Sequence, residues 1–131
     1  MTTTAASPFL SDAVEPQYVH GPAARYAYRR FGKTESLPLV FCTRFRATID
    51  HWDPALLDLL AAEREIIVFD NVGTGASTGT TPATIQGLAD GAVQFIEALG
   101  LTQVALLGWS VGGFVGQTVA LDRPDLVRRL V

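Results

Sequence analysis

The chain has 131 residues, 48% of them hydrophobic and 18% charged, enough apolar material for one domain with its own core. A net charge of −3 supplies no basic footprint for nucleic acid, and no apolar run is long enough to cross a bilayer. The single cysteine, Cys42, excludes an internal disulfide and any cysteine-based metal site; a soluble protein is expected, cytoplasmic because its opening segment is unlike a signal peptide, and no cofactor or metal is expected.

The opening MTTTAASPFLSDAVEP lacks the basic and apolar segments of a signal peptide. It reads as a flexible lead-in over 1–16, ahead of a single domain over 17–131. QYVHGPAARYAYRRFG predicts two strands around a turn at Gly21-Pro22, with Tyr26 and Tyr28 alternating against polar neighbours. LPLVFC (37–42) is a continuous apolar run, the pattern of a strand covered on both faces, and TRFRATIDHW after it reads as loop. Asp53 is a good N-cap and Pro54 suits the first helical position, so ALLDLLAAER is the first long helix.

EIIVFD (65–70) is a second buried-type strand, and NVGTGASTGTTP is too rich in Gly, Thr and Ser to be anything but loop. A second helix is expected to open at Thr81-Pro82. Its apolar stripe is Ile85, Leu88, Ala89, Ala92, Val93, Ile96 and Leu99, and Gly100 closes it. QVALLG (103–108) is a third buried-type strand, VGGFVGQTVALDR is helical until Pro124, and VRRLV has the look of a further buried strand. Strands alternating with crossover helices predict an α/β fold: a three-layer sandwich on a mainly parallel sheet, with an antiparallel hairpin at its N-terminal side.

VALLGWSVGGFVG (104–116) sets Ser110 at the junction of a strand and a helix, the carboxyl edge where open α/β sheets build their sites. Gly108 and Gly112 flank it at i−2 and i+2, where a tight strand-to-helix turn leaves no room for side chains. Such a turn also aims the Val111 N–H toward an oxyanion formed at the hydroxyl. A loose βα turn would carry the same five residues, but the buried strand before and the small-residue helix after favour a nucleophile.

At these residues the sequence resembles the α/β-hydrolase superfamily, from about Tyr18 to Val131, through LVFCTRFRATIDHWDP, FDNVGTGAST and LLGWSVGG. The resemblance implies the N-terminal part of a serine hydrolase acting on an ester or related carbonyl compound through an acyl-enzyme. Ser110 would be the nucleophile, and the N–H groups of Val111 and Phe45 the oxyanion donors. Trp109, Arg44 and Arg46 are the substrate-contact candidates. Arg44 stands where the family usually has glycine, and a positive φ there would carry a steric cost. The arginines suggest an anionic substrate, unless they pair with acids on the same surface.

The family's order is serine, then acid, then histidine, and the stretch after Ser110 offers only Asp122 and Asp125, read as a solvated helix end. His20 belongs to the hairpin, and DHWDP reads as Trp52 packing and Asp53 capping, so neither His20 nor His51 is expected to act as base. A truncated α/β-hydrolase core, inactive alone and prone to self-association along an exposed sheet edge, is therefore expected. Two alternatives stay open: a non-catalytic ligand-binding or interaction relative, and a cofactor-free perhydrolase or haloperoxidase-like enzyme. A dinucleotide loop in GTGASTG is disfavoured, because Thr80, Thr81 and Pro82 delay the next helix beyond Gly79.

Overall fold

A computed structural model describes residues 7–131. Four of its strands match the apolar and alternating runs of the sequence: β1 (Gln17–His20), β2 (Arg25–Gly32), β3 (Leu39–Cys42) and β4 (Glu65–Phe69). With β5 (Val104–Gly108) and β6 (Val127–Leu130) they form one sheet in the order β1-β2-β4-β3-β5-β6. The β1–β2 and β2–β4 pairings are antiparallel and the others parallel, as the hairpin and the crossover helices require.

Alternation along the central strands feeds two cores. Val40 and Cys42 of β3, Ile67 and Phe69 of β4, and Val104 and Leu106 of β5 face one layer. Leu39, Phe41, Ile66, Val68 and Ala105 face the other. On the first face lie α3 (Ile85–Ala98), through Ala89, Ala92, Phe95 and Ile96, and α4 (Val111–Asp122), through Val115 and Val119. Phe95 stacks on Phe69 with centroids 4.2 Å apart, a contact that adds to its burial. The second face is covered by α2 (Pro54–Ala61), whose Leu57 and Ala61 are buried; Asp53 caps it by accepting from the Ala55 N–H at 2.9 Å.

Three expectations need correction. The second long helix begins at Ile85, not Thr81, because Thr84 caps it by accepting from the Gly87 N–H at 3.0 Å, while the Thr81 hydroxyl donates to the Gly73 carbonyl at 2.7 Å. The strand at the C-terminal end forms but is not buried: β6 lies at the sheet's outer edge, with Arg128, Arg129 and Leu130 exposed. Within the stretch read as a flexible lead-in, Leu10–Ala13 makes a helical turn, α1, docked on α2. The Leu10 and Ser11 N–H groups donate to the Asp58 carboxylate at 2.8 and 3.0 Å. Residues 1–6 lie outside the described residues. Among the described residues, no helix is long and apolar enough to cross a membrane.

Candidate active site

Ser110 stands between the end of β5 and the start of α4, with φ 57° and ψ −118°. That region favours glycine, and a non-glycine residue held there stores strain of about 1–3 kcal/mol that the surrounding packing must maintain. The glycines on either side explain how. A Cβ on Gly108 would meet the Gly112 carbonyl and stand 2.5 Å from the Gly113 Cα, so strand and helix touch through backbone alone. A Cβ on Gly112 would collide with the carbonyl of Cys42, which also accepts the Trp109 N–H at 3.1 Å. The turn is thereby pressed against the end of β3, and the Ser110 residue remains exposed.

Across from it, the loop after β3 turns at Arg44–Ala47, where the Ala47 N–H donates to the Arg44 carbonyl at 3.3 Å. The left-handed residue in this turn is Arg46, at φ 60°, and not Arg44, so the steric cost expected at Arg44 falls two residues later. Asp70 at the end of β4 ties this loop to the next one: its Oδ1 accepts from the Ile49 N–H at 2.9 Å and its Oδ2 from the Ala76 N–H at 3.0 Å. Burial pushes the Asp70 carboxyl above its ordinary value, against the lowering effect of those two donors.

A cleft of about 480 Å³ opens between the loops, lined by Arg44, Phe45, Arg46, Val111 and, on its far wall, Gly73, Thr74, Thr81 and Pro82. The two candidate oxyanion donors thus share one cavity. Neither the Phe45 nor the Val111 N–H has an acceptor among the described residues. Trp109 is 45% exposed and does not line the cleft; it packs on Trp52 at 5.6 Å, and the Arg44 guanidinium lies 5.4 Å above its ring. Trp52 in turn meets Phe41 edge-on, so an aromatic ladder runs from the core to the residue before Ser110. Pairwise spacing in sequence gives no sign of this ladder, because its rungs come from three separate elements.

Cys42 lines the same cleft, but its thiol is buried and pushed up to about 12 by desolvation, which leaves it protonated and a poor nucleophile. The histidines are elsewhere. His51 Nδ1 accepts from the Thr48 N–H at 2.7 Å and closes a capping box, and His20 is exposed on β1 at the outer edge of the sheet. Asp122 accepts from Gln86 at 2.7 Å and Asp125 pairs with Arg123 at 3.0 Å, both at the end of α4 remote from Ser110. The glycine loop after β4 runs on through Gly79, and α3 begins only at Ile85, so the helix does not open inside the glycine run. Among the described residues, no group of three His, Cys, Asp or Glu side chains gathers to hold a metal ion.

Comparison with known proteins agrees with the fold. The model of the alpha/beta hydrolase fold family matches residues 38–131. A protein of Pantoea ananatis, provisionally named carbamate hydrolase RutD, is 37% identical over 82 residues, which are 61% of this chain and 30% of that protein. The solved structure of an alpha/beta hydrolase fold protein from Chitinophaga pinensis superposes with a TM-score of 0.86 at 39% identity, covering 89% of this chain and 42% of the other. That of a hydrolase from Pseudomonas aeruginosa does so with a TM-score of 0.77 at 31% identity, covering 88% and 44%. The chain spans less than half the length of each of these relatives. With a family match over most of its length and a solved structure of that fold superposing on 89% of it, the chain belongs to the α/β hydrolase fold family.

Proposed function

We propose that this chain carries the nucleophile side of a serine hydrolase site, in which Ser110 attacks the carbonyl of an ester or related acyl compound. The Oγ–C bond forms as the hydroxyl proton passes to a base, the leaving group departs with a proton, and water then releases the acid from the acyl-enzyme. The N–H groups of Val111 and Phe45 stabilise the oxyanion of each tetrahedral intermediate. Carbamates, the class in the name of the Pantoea relative, fall within this range of carbonyl compounds.

One observation carries the reading: a serine, not a glycine, occupies a φ of 57° on an exposed turn that two side-chain-free positions hold against the end of β3. A structural turn would be cheaper with glycine at that position, and strain retained at an exposed serine, itself outside the cleft lining but next to the cleft-lining Val111, points to chemistry. The base and its orienting carboxylate come from polypeptide other than the described residues, since both histidines are engaged or remote, and these residues alone are inactive. The same positions of His20 and His51 favour, as the second reading, a non-catalytic ligand-binding relative.

A fluorophosphonate probe separates the two. With imidazole added as an external base, the probe should add once to Ser110 by intact mass and peptide mapping, faster as imidazole rises, and Ser110→Ala should not react. No reaction at Ser110 at any imidazole concentration supports the non-catalytic reading instead.

A further inference from the structure

The cleft is cationic in a protein of net charge −3. Two arginines, Arg44 and Arg46, line it, and no aspartate or glutamate does. Among the described residues neither of these arginines forms an ion pair. Each guanidinium rests instead on an aromatic ring: Arg44 lies 5.4 Å above Trp109, and Arg46 lies 5.9 Å above Phe45. A cation–π contact uses none of the guanidinium N–H donors, and Arg44 uses one of its own on the Phe45 carbonyl at 3.2 Å. Thr43 also belongs to the cleft lining, and its buried hydroxyl has no hydrogen-bond partner among the described residues. Unspent planar donors around a cavity that lacks acids are the arrangement that recognises a carboxylate bidentately.

We propose that the cleft takes acyl compounds carrying a free carboxylate remote from the reacting carbonyl, with Arg44 and Arg46 holding that carboxylate. As a statement about substrate this rests on the serine hydrolase reading above, whereas carboxylate binding itself does not. The volume of about 480 Å³ is ample for a dicarboxylic acid monoester or monoamide, and the apolar wall of Phe69, Leu88 and Val115 suits a short methylene spacer.

The test titrates the ¹⁵N-labelled protein with glutarate and with the uncharged glutaramide, following the Arg44 Nε and Trp109 indole resonances against that of the buried Trp52. Glutarate should shift the first two saturably, glutaramide should bind at least tenfold more weakly, and Arg44→Gln with Arg46→Gln should lose at least about tenfold in glutarate affinity. Equal binding of the two compounds, no binding of glutarate, or unchanged glutarate affinity in the double variant overturns the proposal. Saturable glutarate binding in a protein whose Ser110 never reacts with the fluorophosphonate would instead remove the hydrolase reading and leave a carboxylate-binding site.

Discussion

The carbonyl oxygen of Cys42 occupies the space that a side chain on Gly112 would need, so α4 begins in direct backbone contact with the end of β3. Gly112→Ala must therefore separate these central elements, and should destabilise the fold by about 2–3 kcal/mol, the usual cost of overpacking a rigid contact. Gly113 is the control, because a Cβ there would find only the Gly108 carbonyl, at 3.9 Å. Gly113→Ala should stabilise by about 0.5–1 kcal/mol through the better helix propensity of alanine. Urea unfolding of both variants checks this, and similar midpoints would show that the contact carries no strain.

The backbone of Ser110, at φ 57°, makes a second contrast available. Ser110→Gly should be more stable than Ser110→Ala by about 1 kcal/mol, because only glycine occupies that region without a Cβ clash. Thermal melting of the pair decides it; an alanine variant as stable as the glycine variant would mean that the turn relaxes and stores nothing.

These relations also show how much of the fold and site is legible in the sequence. Gly108, Ser110 and Gly112 can be read there because they act within one turn, and Asp53-Pro54 because a helix start is a local event. Positions decided between elements cannot. Phe95 falls outside the apolar stripe read from 85–99, yet it is fully buried because it meets Phe69, Tyr26 and Tyr28 across the sheet. The apolar residues of β6 suggest burial, but a strand's exposure depends on its neighbours in the sheet, and β6 lies at the edge. Likewise, which of Arg44 and Arg46 takes the positive φ depends on the anchoring of the loop by Asp70 through Ile49, a bond spanning 21 residues.

Asp70 yields a pH dependence. Desolvation raises its folded-state pKa above the ordinary 3.8, so the native state holds this proton more tightly than the unfolded chain does. Between 3.8 and the raised value the native state binds more protons, and stability must fall as pH rises. Relative to Asp70→Asn, the wild type should lose stability as pH rises through that window in urea titrations at stepped pH; a constant difference would contradict it. Asp70→Ala should cost about 2–4 kcal/mol below that window, since the Ile49 and Ala76 N–H groups both lose their acceptor, and less above it.

Cys42 is the only thiol in the chain, and its backbone carbonyl accepts from Trp109, the residue before the candidate nucleophile. Its thiol, held near 12 and buried, should not react with a disulfide reagent at pH 8 while the protein is folded. Reaction should appear in step with urea unfolding followed by circular dichroism. Rapid reaction in the absence of urea would mean that the cleft opens to the end of β3.

Ser110, Val111 and Phe45 are proposed to surround a single oxyanion, and a crystal structure of the phosphonylated adduct tests that most directly. The phosphorus should sit on Ser110 Oγ, with one phosphonyl oxygen within about 2.7–3.1 Å of both the Val111 and the Phe45 backbone nitrogens. An adduct oxygen turned away from that pair, or a phosphonyl group on any other residue, would contradict it.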